Sequence, residues 1–296
     1  MKMFDRLSRT AVVACTLAVS GCVEISGNSW PRYVERDEKR FTVTGRPDLS
    51  VSTFDGSVEI RAWDRPEVLV AIEKRAGDKE EAATIEVHAE QNGNRVVVEV
   101  KAGHLARPWH GGRSANLIVS VPAVSDVRAR SGDGSLSISR ITGTLDLRSG
   151  DGSIHGTALA GDLRVHTGDG SIDLDDVTGG VDTDTGDGSI LVAGKLTSVR
   201  ARSGDGRIAI RAEPGSTTDG DWEIHTGDGS ITIDLPDTFA GELDAHTGDG
   251  GIALRNLTLS GVSGEFDRHN LRGRLGSGGK RLRVRTGDGS ITIRKF

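Results

Sequence analysis

The sequence is short of what most folds use to hold or to work. It has 2 cysteines and 7 prolines in 296 residues, and aromatics are 4%. The few prolines and the absence of a Gly-X-Y period exclude a collagen. No apolar run reaches the roughly 20 residues of a spanning helix, which excludes a polytopic membrane protein. Steady alternation of aliphatic and polar residues argues against disorder. What is abundant is glycine, 41 residues, about twice ordinary usage.

Both cysteines fall at the start. Lys2, Arg6 and Arg9 precede a short apolar stretch, Thr10 to Val19, and then Val19-Ser20-Gly21-Cys22. This pattern reads as a leader, residues 1–21, ending at a lipidation cysteine, Cys22. Cys15 leaves with the leader, so the mature chain is expected to hold no disulfide, thiolate catalyst or cysteine metal site. Loss of three basic residues and one acidic residue takes the net charge from −6 to −8. An acidic exported chain is a poor match for nucleic acid. Val23 after the cysteine points to sorting outward, to the periplasmic face of an outer membrane where the organism has one. Residues 22–39 read as a polar tether, and 40–126 as an N-terminal β region capping the repeats beyond it.

From 127 to 296 the chain repeats. Gly-Asp-Gly occurs eight times, with its aspartates at Asp133, Asp151, Asp169, Asp187, Asp205, Asp228, Asp249 and Asp288; the first five are 18 residues apart. A weaker copy sits at Asp55-Gly56. One unit runs from Leu163 to Gly180, and its positions 1, 3, 10 and 12 are mostly apolar in every copy. Each unit therefore carries two short strands with one face inward. Constant spacing predicts an all-β, single-stranded β-solenoid of 18-residue coils; an antiparallel meander closed by Asp-Gly hairpins is the alternative. The turn glycines are expected to serve φ > 0, and the aspartates to accept a local backbone hydrogen bond.

Position 2 runs Arg128, Asp146, Arg164, Asp182, Arg200, Glu223, Asp244, Arg283, alternating in sign over the first six. Stacked in order, His225 and His246 at position 4 would be neighbours. The last strand, ending Ile293-Arg294-Lys295-Phe296, would form an open edge blunted by its basic residues.

The eight aspartates are metal candidates as ligands of a calcium β-roll, although the glycine-aspartate order differs from that motif; His225 and His246 could begin a metal site, but no third ligand joins them. Neighbouring carboxylates about 4.8 Å apart repel by only about 0.9 kcal/mol in water, so turn aspartates need no ion. Asp184-Thr185-Gly186 matches a protease tripeptide, but position 4 varies freely among the copies. No nucleophile elbow, phosphate loop or zinc helix is present. No cofactor is expected. Residues 256–281 interrupt the period, and Phe266, Arg268, His269, Arg272 and Arg274 there are candidate partner-binding residues.

The run Phe54-Asp-Gly-Ser-Val-Glu-Ile-Arg-Ala-Trp-Asp-Arg-Pro-Glu-Val68, the repeated Thr-Gly-Asp-Gly-Ser-Ile, and Leu275-Gly-Ser-Gly-Gly-Lys-Arg-Leu-Arg-Val-Arg-Thr-Gly-Asp-Gly-Ser-Ile-Thr-Ile293 resemble the bacterial "putative adhesin" β-strand-repeat family. That resemblance covers roughly residues 40–296. It implies an all-β repeat domain of exported and envelope proteins, with no catalytic residues to carry over. The expectation is a lipid-anchored, non-catalytic interaction module meeting the membrane through its lipid and an envelope protein or polysaccharide beyond it. A calcium-binding roll and a β-helix enzyme acting on polysaccharide are the competing classes.

Overall fold

The computed structural model describes residues 21–24, 33–103, 112–261 and 268–296. The chain is a β-solenoid, nearly every element a strand. In chain order these are β1 (Gly21–Glu24), β2 (Tyr33–Thr42), β3 (Asp48–Thr53), β4 (Val58–Trp63), β5 (Glu67–Ala76), a short helix α1 (Lys79–Ala83), β6 (Ile85–Asn92), β7 (Arg95–Ala102) and β8 (Ser114–Pro122). The repeats follow as β9 (Asp126–Ser131), β10 (Leu136–Ser139), β11 (Thr142–Ser149), β12 (Ile154–Thr167), β13 (Ile172–Thr185), β14 (Ile190–Ser203), β15 (Ile208–Ala212), β16 (Trp222–Thr226) and β17 (Ile231–Leu235). The chain ends with β18 (Gly241–Thr247), β19 (Ile252–Arg255), β20 (Asn270–Leu275), β21 (Arg281–Thr286) and β22 (Ile291–Lys295).

Two ladders face each other. The first holds the strands that lead into each Gly-Asp-Gly, in the spatial order β6, β7, β3, β9, β11, β12, β13, β14, β16, β21, β18, β20. The second holds the strands that leave it: β1, β2, β5, β8, β4, β10, β12, β13, β14, β15, β17, β22, β19. The long strands β12, β13 and β14 run through both. Pairing is parallel from β7 and β8 through to β18 and β19. Antiparallel strands close the ends, β6 and β20 in the first ladder and β5, β2 and β1 in the second.

The core is the column structure read from the repeat. Position 10 (Leu136, Ile154, Ile172, Ile190, Ile208, Ile231 and Ile291) is fully buried, as are its partners two residues on. Aliphatic side chains fit the narrow gap between the ladders. Trp222 departs from that rule: it is also fully buried, with Phe239 edge-on at 5.0 Å between ring centroids.

The order of coils differs from the order of sequence at both ends. The first coil, β3 and β4, is flanked on both sides by later strands. The last coil, β21 and β22, lies between the coil of β16 and β17 and the coil of β18 and β19. The C-terminal strand is therefore interior, not an open edge. Arg285 stands between His225 and His246, so the two histidines do not stack. Residues 33–39, expected in the tether, form the first part of β2 against β5.

The glycines act differently from expectation. Among those of the eight Gly-Asp-Gly units none has positive φ. Each lies so close to the coil below that no side chain fits: a Cβ on Gly186 would lie 2.6 Å from the carbonyl oxygen of Gly168, and the other copies are similar. Positive φ falls instead at the opposite turn, on Arg140 (60°), Ala158 (56°), Asp176 (53°) and Asn256 (55°).

The aspartate side chains of these turns make no hydrogen bond among the described residues; the preceding Ser or Thr does. Its hydroxyl donates to the carbonyl of the second glycine one coil below, in Ser131→Gly56, Ser149→Gly134, Thr167→Gly152, Thr185→Gly170, Ser203→Gly188, Thr226→Gly206, Thr286→Gly229 and Thr247→Gly289, all at 2.7–2.9 Å. In several copies the same oxygen accepts from the N–H three residues on, as Gly206 to Ser203 at 2.9 Å. A buried hydroxyl must be satisfied, and this one is satisfied in both directions.

Candidate interaction face

The outer face of the first ladder carries position 2 of every coil. In spatial order the residues are Arg128, Asp146, Arg164, Asp182, Arg200, Glu223, Arg283 and Asp244. The insertion of the last coil completes the alternation that the sequence order breaks. Arg272 on β20 extends it to a ninth rung opposite Asp244. Adjacent strands stand 4.7–4.9 Å apart, so like charges recur every two rungs at about 9.5 Å.

Beside this column, one residue before position 1, stand Asp162, Gly180, Ser198, Asp221 and Arg281. The two columns border a groove of about 1030 Å³ that runs across the strands from Arg128 to Glu242 and Arg283. The small residues Gly180 and Ser198 keep its centre open. Within the groove Arg200 pairs with Glu223 at 3.4 Å, and several other charges there are left without partners. Asp162, Arg164, Asp182, Asp221, Arg281 and Arg283 make no ion pair within 4.0 Å among the described residues, and Arg283 Nε is buried with no hydrogen bond.

Other charges along the face are neutralised in place. Arg128 pairs with Asp48 at 2.7 Å, Arg148 with Asp146 at 2.8 Å and Arg202 with Glu223 at 3.1 Å. Asp244 takes Arg285 at 2.8 Å and Arg272 at 3.1 Å. Burial pushes the Asp244 carboxyl up, but those guanidinium hydrogen bonds and charges outweigh it and leave the group below the ordinary aspartate value. Asp126 is lowered in the same balance, burial opposed by the backbone N–H of Thr144 and by Arg46. The hydrogen bond from Arg148 to Asp146, then the carboxylate charge, raises the Arg148 guanidinium.

The Gly-Asp-Gly aspartates form an exposed row along one corner, with Asp288 between Asp228 and Asp249 rather than after it. Among the described residues no three His, Cys, Asp or Glu side chains converge as a metal would require. Of the residues singled out in the 256–281 interruption, Phe266 lies outside the described residues. Arg272 and Arg274 hold β20 to β18 through Asp244 and Glu242, the latter at 2.9 Å. Arg268 Nε lies 2.8 Å from His269 Nε2. This segment lays an antiparallel strand over the end of the first ladder. The backbone of Cys22 is in β1, opposite Glu35.

Sequence reasoning missed the groove. Its signal was present at position 2 and at the position before 1, but only the stacking order turns those residues into two continuous walls.

The family Toastrack DUF4097 matches residues 47–294. The chain belongs to that family. Its solenoid also resembles solved structures. A "putative lipid binding protein" from Parabacteroides distasonis is 12% identical, with a TM-score of 0.44, covering 87% of this chain and 96% of that one. A "putative adhesin" from Bacteroides fragilis is 10% identical, with a TM-score of 0.39 and the same coverage. A "putative cell adhesion protein" from Clostridium sporogenes is 13% identical, with a TM-score of 0.26, covering 88% and 100%. At these identities none of their functions transfers to this chain. No curated protein matches it.

Proposed function

We propose that this Toastrack protein is an exported, lipid-anchored, non-catalytic interaction module whose groove receives an extended, charged polysaccharide of the cell envelope. The observation that carries the reading is the open groove with its unbroken alternation of sign. A groove crossing many coils suits a linear polymer better than a compact substrate. A repeating polymer presents its charged groups at a constant interval, and the ladder offers each sign at a constant interval in return. The groove is polar and its tryptophan is buried beneath it, which disfavours an apolar ligand. Acid–base catalysis needs one placed pair with shifted proton affinities, whereas the carboxylates here recur in coil after coil.

The anchor reading rests on Val19-Ser20-Gly21-Cys22 and the short apolar run before it. With Cys22 as the first mature residue, the lipid would sit at the outermost strand of the second ladder, and the groove would extend away from the membrane. No helix among the described residues is long and apolar enough to cross a membrane. Replacing Cys22 with serine should move the protein from the membrane to the soluble fraction.

The binding test is co-sedimentation with insoluble envelope polysaccharide at physiological salt. The unsubstituted protein should pellet, and Asp162→Asn/Asp182→Asn should weaken pelleting at least tenfold while the protein still melts cooperatively. An unsubstituted protein that stays in solution sinks the reading.

A further inference from the structure

We infer that residues 281–296 are an exchangeable arm, and that the slot they fill also accepts the arm of a second copy of this chain. This stands independently of the polysaccharide reading. The walls of the slot are residues 222–235 and 241–255, and they are joined to each other directly through 236–240. The arm reaches the slot only by way of β20. Nothing in its contacts requires that it come from the same chain.

The fit is chemically specific. Leu282, Val284, Ile291 and Ile293 are fully buried between the walls. Arg285 donates to the Asp244 carboxylate and to its backbone carbonyl, both at 2.8 Å. Arg294 pairs with Asp234, and Lys295 reaches the carbonyl of Asp237 at 2.8 Å. A basic arm thus enters an acidic slot. The walls fit each other poorly: with the arm gone, Glu223 would meet Asp244 in register, like charge on like charge.

A hinge leads into the arm. Gly276, Gly278 and Gly279 have φ of 55°, 82° and 159° between β20 and β21. A terminal element on a glycine hinge, docked by strand addition, is the arrangement from which copies exchange identical parts. Four fully buried side chains make exchange between folded molecules slow, so it belongs to folding, when slot and arm are both open.

The test uses full-length chains carrying Cys15→Ser and Cys22→Ser. One set adds Thr232→Cys, the other Thr292→Cys. These positions are register partners on neighbouring strands, within the Cα spacing a disulfide spans. The two sets are refolded together at high concentration, oxidised and run without reductant. A chain carrying both substitutions reports, through its internal disulfide, that the variants fold. A covalent heterodimer several-fold above that from Thr292→Cys with Thr157→Cys, a pair far apart on the second ladder, is the expected result. Mixing chains after separate folding should give only that background. Co-refolded chains that stay at background, while the double variant closes internally, overturn the inference. So does a refolded unsubstituted chain that elutes only as a 31.2 kDa monomer at every concentration.

Discussion

The hydroxyl of Thr286 donates to the carbonyl of Gly229, 57 residues earlier in the chain, at 2.8 Å. The same bond recurs at all eight Gly-Asp-Gly turns, and its consequence is clearest mid-stack. At Thr185, bonded to Gly170 at 2.8 Å, valine keeps the shape and removes the donor. Thr185→Val should cost about 1–3 kcal/mol, and Thr185→Ser much less. Chemical denaturation of the two variants side by side checks this.

Close stacking of glycines makes a second prediction. Alanine at Gly186 would put its Cβ 2.6 Å from the Gly168 carbonyl oxygen and 2.8 Å from Asp169 Oδ1. The carbonyl is backbone and cannot swing away. Gly186→Ala should destabilise by more than about 3 kcal/mol. Gly93 has φ of 61°, and no atom lies within 4 Å of the place an alanine methyl would take. Gly93→Ala should therefore cost only the roughly 1–2 kcal/mol of a left-handed backbone. Melting curves that rank the two the other way would refute the steric account.

Ala158 holds φ of 56° at the opposite turn. Glycine there relieves a backbone strain of roughly 1–2 kcal/mol and gives back about 0.4–1 kcal/mol as unfolded-chain entropy. Ala158→Gly should therefore raise the melting temperature slightly, an unusual result for a glycine placed in a β protein.

Acid should destabilise the fold in a definite direction. The Asp244 and Asp126 carboxyls are lower in the folded chain than their ordinary value. A depressed carboxyl contributes stability that is full above the unfolded value, about 3.9, and is lost as pH falls through the folded value. Stability should thus fall below about pH 4, and Asp244→Asn should flatten that part of the profile. An unchanged acid limb in Asp244→Asn would remove this carboxylate from the explanation.

Calcium should leave the fold as it is. The eight turn aspartates are exposed, and among the described residues no third ligand converges on any of them. Melts in chelator and in millimolar calcium, with magnesium at equal strength as control, should coincide. One site filled at 100 times its dissociation constant would add about 2.7 kcal/mol, enough to be seen.

The alternation of Ile and Val with polar residues made the coil legible, because strand faces follow a period of two whatever lies next to them. The order of the coils was not legible from the period. Each coil is nearly a copy of the next, so hydrophobic columns fit at any rung; only a residue such as Arg283, set between Glu223 and Asp244, distinguishes one arrangement from another. The glycines escape turn rules for a related reason. Turn rules look along the chain, whereas Gly186 answers to Gly168, its neighbour along the stack. The candidate groove shares this origin, since Asp182 and Arg200 become a wall only when stacked.

The buried position of the last coil also sets how the molecule bears load. In a solenoid that ends at its terminal strand, a pull on the C-terminus peels that strand away one hydrogen bond at a time. Here the chain ends in a strand held on both sides, by β17 and by β19. Tension applied at Phe296 has to break the pairings with β17 and β19 together, so the last coil acts as a mechanical clamp.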